Sequence, residues 1–272
     1  MGGVLGAWTL PGAVLGAAAL EALLAWGLAR ALERRGHVRA NYRGRVVPTS
    51  VGVSFLAATG LAALLLRDPA VERAWLAACL MGLVGFYDDV HSAEQARGLG
   101  GHLRELLRGH PTSGLLKAVA GLAAGGWIAG SAGGGWLAVA GRALEVALAA
   151  NVVNVLDLRP GRAAKALLVV LALLPWVGVT PAVAAAAWIT LGAVAAWLGF
   201  DLRERAMLGD AGANALGIWA GSLLALGGGP EAVWIGLALV VALQVAAELT
   251  SLSSWIERSR FLDFLDRLGR RM

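Results

Sequence analysis

One cysteine, Cys79, stands in the whole chain, inside an apolar run. A single cysteine excludes an intrachain disulfide and a metal site built from several thiolates. Charge is scarce as well. Asp, Glu, Lys and Arg make up 15% of the 272 residues, against about 25% in soluble domains. The four histidines, His37, His91, His102 and His110, lie between apolar runs with no two at metal-ligand spacing. They read as mostly solvated, with His91 set apart because it follows Asp88-Asp89 so closely. The N-terminus shows neither a basic n-region nor a clear cleavage site, so no removable signal peptide is expected. No internal repeat or low-complexity linker divides the chain, and a single domain over residues 1–272 is the economical reading.

What the chain has in abundance is apolar surface: 58% of residues are hydrophobic, and 38 are Gly, a residue commoner in membrane helices than in soluble ones. Long apolar runs exclude a β-barrel, which is written in short alternating strands. The expected fold is therefore an all-α, polytopic membrane bundle of about nine transmembrane helices. The spans fall near 8–29, 50–66, 74–88, 115–132, 138–156, 164–178, 181–199, 211–227 and 232–250. Arg142 and Glu145 interrupt the fifth, and Pro175 and Pro181 flank the break between the sixth and seventh.

The net charge of +5 and pI near 10.3 come from basic residues spread between apolar runs. Anionic lipid or an anionic substrate fits that distribution, and nucleic acid does not. All 23 Lys and Arg residues except Arg67, Arg73 and Arg142 fall in one set of loops. The positive-inside rule puts loops 30–48, 88–114, 157–165 and 200–210 in the cytoplasm, with the N-terminus outside and the C-terminus cytoplasmic. Two cytoplasmic stretches are amphipathic. Leu103, Leu106 and Leu107 recur at helical spacing within Gly101–His110, and Trp255, Ile256, Phe261, Leu262, Phe264, Leu265 and Leu268 do so in the tail, 251–272. Each suits either an interfacial helix under anionic headgroups or a helix packed on the bundle's own cytoplasmic face.

Five polar motifs fall on that same side: Asn41–Thr49, Gly85–Asp89, Gly114–Lys117, Asn151–Asp157 and Leu208–Gly212. Carboxylates at a membrane boundary are costly unless paired or metal-bound. Asp88-Asp89 can thus hold a hard divalent cation that also grips a phosphate, or be two solvated helix-end acids. Asn151, Asn154 and Asp157, at i, i+3 and i+6, fan over roughly 120° of a helix; they read as a site in preference to plain interhelical bonding. Asp210, between Gly209 and Gly212, reads on its own as a helix N-cap, and beside the other motifs as part of an anion-handling turn. Lys117 either snorkels or contacts phosphate. Three acidic positions, some amides and basic loops together suit a magnesium–diphosphate reaction at the membrane surface.

This ordered set resembles the polyprenyl-phosphate N-acetylhexosamine-1-phosphate transferases, among them phospho-MurNAc-pentapeptide transferase and the GlcNAc-1-phosphate transferases that start wall and surface polymers. Asn41–Gly52 resembles the family's first cytoplasmic loop, with its Arg-Gly and Pro-Thr elements. Asp88-Asp89 resembles its aspartate pair, and Gly101–Lys117 the basic loop after it. Asn151–Asp157 resembles its Asn-x-x-Asn-x-x-Asp motif, and Leu208–Gly212 its Gly-Asp-x-Gly motif. Two departures stand out. Pro160 occupies the place of a second acid after the Asn motif, and the tail after Glu248 carries neither the His-rich motif nor a further span.

The resemblance implies a phosphoglycosyl transferase of the plasma membrane with its active site facing the cytoplasm. A sugar-1-phosphate would pass from a UDP-amino sugar to a polyprenyl phosphate, undecaprenyl phosphate by expectation, releasing UMP in cell-envelope glycan synthesis. The implied cofactor is magnesium, or manganese in its stead. Asp210 and Asp88 would be metal ligands, with Asp88, Asp89 and Asp157 catalytic. Asn151, Asn154, Lys117, Arg43 and Arg45 would bind substrate. A homodimer is compatible with this reading. The alternative is an inactive homologue that binds polyprenyl phosphate or a partner enzyme, which the two departures favour. A transporter using Glu21, Glu145 and Glu248 ranks last, because transport places its acids near the bilayer midplane.

Overall fold

The computed structural model describes residues 9–91, 98–110, 112–249 and 252–270, with the backbone alone at 98–100, 102 and 103. Arg97, Arg271 and the side chains of His102 and Leu103 lie outside what is described. Of the described residues, 81% are helical. Each apolar run of the sequence overlaps a helix: α1 (Thr9–Arg34), α2 (Phe55–Leu66), α3 (Pro69–His91), α5 (Ser113–Ala132), α6 (Trp136–Leu156), α7 (Arg162–Leu173), α8 (Pro181–Asp201), α9 (Gly209–Gly227) and α10 (Pro230–Leu249). Helix α4 (Gly98–Leu107) precedes α5, and α11 (Leu252–Arg258) and α12 (Arg260–Arg267) close the chain.

Among the described residues, six helices are long and apolar enough to cross a membrane: α1, α3, α5, α6, α8 and α10. The other three differ for physical reasons. Helices α2 and α7 have 12 residues each, about 18 Å at 1.5 Å per residue, short of a hydrocarbon core of about 30 Å. Each gains length from a 3-10 turn, Val51–Ser54 before α2 and Leu174–Trp176 after α7. Helix α9 has 19 residues, 14 of them buried. Enclosed by protein, it tolerates Asn214 and Ser222 and needs little lipid-compatible surface. Helix α6 runs unbroken through Arg142 and Glu145. Arg142 reaches back to the Gly133 carbonyl at 2.9 Å.

Helix α9 is the axis on which α3 and α6 pack. The crossing with α3 is close because Gly85 has no side chain: a Cβ there would overlap the Asp210 carbonyl. On the far side, Trp219 of α9 is fully buried, and its indole N–H donates to Thr190 of α8 at 3.0 Å. Start signals behave as chain chemistry dictates. Thr112 and Thr180 cap α5 and α8 through their hydroxyls. Asp68 accepts from Ala70 and Val71 at 2.9 and 3.2 Å at the head of α3.

The sequence gives no sign of strand, yet β1 (Val38–Ala40) and β2 (Val46–Pro48) form a small antiparallel hairpin, Val38 opposite Pro48. Three-residue strands are too short to display an alternating pattern. The Asn41 side chain shapes the turn by accepting from the backbone N–H of Arg43 and Arg45.

Candidate active site

Asp88 and Asp89 occupy the last turn of α3, where the helix dipole disfavours negative charge. What holds them comes from elsewhere in the chain. Asp89 Oδ1 accepts from the Asp210 N–H and Oδ2 from the Ala211 N–H, both at 3.1 Å. These are orphan donors of the first turn of α9. The Ser50 hydroxyl donates to Asp89 Oδ2 at 2.7 Å, His37 bonds that hydroxyl at 2.9 Å, and Arg39 donates to the Asp89 carbonyl at 2.6 Å. One carboxylate thus ties the end of α3 to the start of α9. Gly209 makes the turn possible: its φ is +70°, and a side chain there would strike Asp89 and the Ser50 backbone.

Asp88 faces the other way. Lys117, in the second turn of α5, places its ammonium 2.5 Å from Asp88 Oδ2 and 2.5 Å from Asp210 Oδ2. The two carboxyl groups also contact each other. Two acids from α3 and α9 therefore converge on one cation, and the cation is the side chain of a third helix.

Asp157 is the C-cap residue of α6, and its carboxyl lies by the Gly209 backbone at the head of α9. Burial, and then the charges of Asp201, Asp210 and Asp89, push this carboxyl well above the usual range. The folded chain thus keeps a proton on Asp157 that the unfolded chain releases near pH 4. Stability of the metal-free protein should fall as pH rises from that point through the folded pKa. Asp157→Asn should flatten this slope, so that the variant melts higher than wild type near neutrality and alongside it near pH 4. A melting series in chelator checks this, and a wild type that gains stability over the same interval contradicts it.

Other residues singled out from sequence go elsewhere. Asn151 is exposed and donates to Gln244 of α10 at 2.5 Å. The fan of roughly 120° between Asn151 and Asp157 is wide enough to send one to α10 and the other to α9. Asn154 lies half-buried between them, with no side-chain partner among the described residues. Arg43 and Arg45 pair with Glu204 at 3.5 and 3.7 Å. His91 is exposed and stacks on Tyr87 at 4.3 Å, and His37, read as solvated, is half-buried against Ser50.

Three residues that sequence reasoning passed over, and His37, which it read as solvated, also belong here. Ser50 and His37 support Asp89. Asp201, at the end of α8, accepts from the Gly161 N–H at 2.8 Å. Glu204, buried with φ of +52°, gathers Asn41, Arg43 and Arg45. Asp201 carried the same signal as Asp88 and Asp157, an acid ending an apolar run. Beside Asp157 opens a pocket lined by Tyr42, Leu158, Pro160, Glu204 and Met207 among others. Arg159 lies over the Tyr42 ring at 4.7 Å.

Among the described residues, no group of three or more His, Cys, Asp or Glu side chains is assembled as a metal cage. The donor chemistry nevertheless fits a hard divalent cation. Magnesium takes one or two carboxylates and leaves its other positions to water and phosphate oxygens, and Asp88 and Asp210 already meet at one cationic point.

A family model, glycosyl transferase family 4, matches residues 73–228. The chain belongs to this family, that of phospho-MurNAc-pentapeptide transferase and GlcNAc-1-phosphate transferase-like enzymes. No curated protein matches it. The matched stretch takes in Asp88, Asp89, Lys117, Asp157 and Asp210, the residues that the packing of α3, α5, α6 and α9 brings together. At family level the chemistry is sugar-phosphate transfer to a polyprenyl phosphate, by enzymes that generally depend on a divalent metal.

Proposed function

We propose that the protein transfers a sugar-1-phosphate from a UDP-amino sugar to a polyprenyl phosphate, undecaprenyl phosphate in a bacterial envelope, at the cytoplasmic face of the plasma membrane. The observation that carries this reading is the convergence of Asp88, Asp210 and Lys117 from three helices at one end of the bundle. A lipid phosphate oxygen forms a bond to the β-phosphorus of the nucleotide sugar. The bond from that phosphorus to the α–β bridging oxygen breaks, and UMP departs with the electron pair. The products are polyprenyl-diphospho-sugar and UMP.

Such a reaction asks the protein mainly for positioning and charge neutralisation. A phosphate monoester, with a second pKa of about 6, is already largely dianionic at neutral pH, so no general base is required. Asp88 and Asp210 would hold magnesium, whose chemistry when bound is to offset the charge of the two phosphate groups. Lys117, released from the two acids, would contact a phosphate oxygen. Asp157, with Asn154 one turn before it, would orient the nucleotide side, next to the pocket under Tyr42. Asp89 is a positioning residue that fixes the first turn of α9. Arg43 and Arg45 would meet incoming phosphate at the rim.

Purified protein given magnesium, polyprenyl phosphate and a panel of UDP-sugars should release UMP with at least one amino sugar, and chelator should abolish it. No UMP with any donor would favour the inactive homologue, a reading that Pro160 and the internally neutralised Asp88–Lys117–Asp210 group also suit. The orientation has its own test. With nine spans, a reporter fused after Met272 should read cytoplasm, and a cysteine in place of Asp68 should be labelled from outside. A periplasmic reading at Met272 would overturn the span count, and an Asp68 position closed to outside label would overturn the sidedness.

A further inference from the structure

Helix α12 is mounted the unusual way round. Its polar face is turned into the protein. Asp266 is buried and takes both bonds of an Arg162 fork at 2.9 Å each, and Arg270 adds a contact to Asp266 and another to the Pro160 carbonyl at 2.7 Å. Lys165 donates to the carbonyls of Leu265 and Asp266 at 2.9 and 2.8 Å. The apolar stripe, Phe261, Phe264, Leu265 and Leu268 at i, i+3, i+4 and i+7, faces outward. Phe261 is 68% exposed and Phe264 62%. A helix that packs on protein by its charges and offers its aromatic side to the surroundings needs something apolar there.

The chain itself indicates what that is. Leu249 ends α10, one of the six long apolar helices, and α12 starts eleven residues later at Arg260, so the tail carries α12 close to the point where the chain leaves the bilayer. Exposed Arg258 and Arg260 flank the stripe, the complement of an anionic headgroup layer, while exposed Arg267 bonds Asp263 at 2.8 Å. We propose that the outward face of α12 seats in the anionic lipid leaflet on the acid-bearing side of the bundle, and that α12 thereby braces the 157–162 loop against the membrane surface. Aromatic side chains at the acyl boundary, with arginines at headgroup level, are how interfacial helices bind. The brace follows from the same contacts, since Arg162 and Pro160 lie in the segment that begins with Asp157. None of this depends on whether the protein transfers a sugar phosphate.

The test places a cysteine in the Cys79→Ser background, in one protein at Phe264→Cys and in another at Arg267→Cys. Each carries an environment-sensitive fluorophore, in nanodiscs holding one copy apiece. With anionic lipid and a shallow nitroxide-labelled lipid, the label at 264 should be quenched at least about twofold more than the label at 267, as for an apolar face sunk below the headgroups. The difference should shrink when the anionic lipid is replaced by zwitterionic lipid. In a separate protein, Phe261→Glu with Phe264→Glu should speed backbone hydrogen exchange at 157–162 while leaving α9 unchanged. A water-like, equally quenched signal at both positions would overturn the proposal. So would shielding at 264 that arises only when two copies share a disc, because the face would then belong to a protein contact.

Discussion

Asp210→Asn should lower turnover on the order of a thousandfold, the upper end of what one electrostatic group in a shielded site contributes. The substitution keeps the shape of the side chain and the turn of α9, because Asp89 bonds the Asp210 backbone and leaves its carboxyl alone. What it removes is half of the pair that converges on Lys117. Asp88→Asn should act likewise. Asp89→Asn should act differently, by loosening the α3–α9 junction, so its loss should appear in melting temperature as well as in rate. Equal rates in wild type and Asp210→Asn would move the chemistry away from this cluster.

Lys117→Met should cost on the order of a hundredfold in turnover, and its response to metal should run opposite to that of Asp210→Asn. In the metal-free chain the Lys117 ammonium balances Asp88 and Asp210. Removing it leaves two facing carboxylates, and the variant should melt below wild type in chelator. The same removal clears a competing cation, so magnesium should bind more tightly and stabilise the variant more. At about 100 times Kd, a ligand contributes about 2.7 kcal/mol of stability, and each tenfold gain in affinity adds about 1.4 kcal/mol. Asp210→Asn should show a reduced magnesium shift instead. Thermal melts of both variants across a magnesium series distinguish the two patterns. A smaller shift for Lys117→Met than for wild type would mean that Lys117 supports the metal and does not compete with it.

Much of the fold and part of the site could be read from the residues before any coordinates. Every apolar run became a helix, because a run of that length has few other ways to satisfy its backbone. The acids that close such runs, Asp88 and Asp157, sit where the helices meet, as does Asp210 at the opening of α9. Partners were the illegible part. Ser50 and Asp89 are 39 residues apart and Arg162 and Asp266 are 104 apart, and nothing local marks either pair. Helical spacing alone put Asn151 on a face with Asp157, but a fan of about 120° crosses a helix boundary, and Gln244 took the amide. Arg43 and Arg45 were legible as phosphate-facing cations because charge type is visible in a sequence, but the buried acid that positions them, Glu204, was hidden among arginines. The tail's amphipathic pattern was plain, but periodicity does not say which face docks: α11 buries Ile256, whereas α12 docks by its polar face.

In the proposed reaction a sugar phosphate, and not a bare sugar, crosses to the lipid at the Asp88–Lys117–Asp210 cluster. A UDP-amino sugar carrying radiophosphorus at its β position reads this directly. With wild type, magnesium and polyprenyl phosphate, the label should move into the lipid fraction as UMP appears in equal amount, and Asp210→Asn should stop both together. Label that stays in the aqueous phase as UDP while sugar reaches the lipid, or transfer that Asp210→Asn leaves untouched, would contradict it.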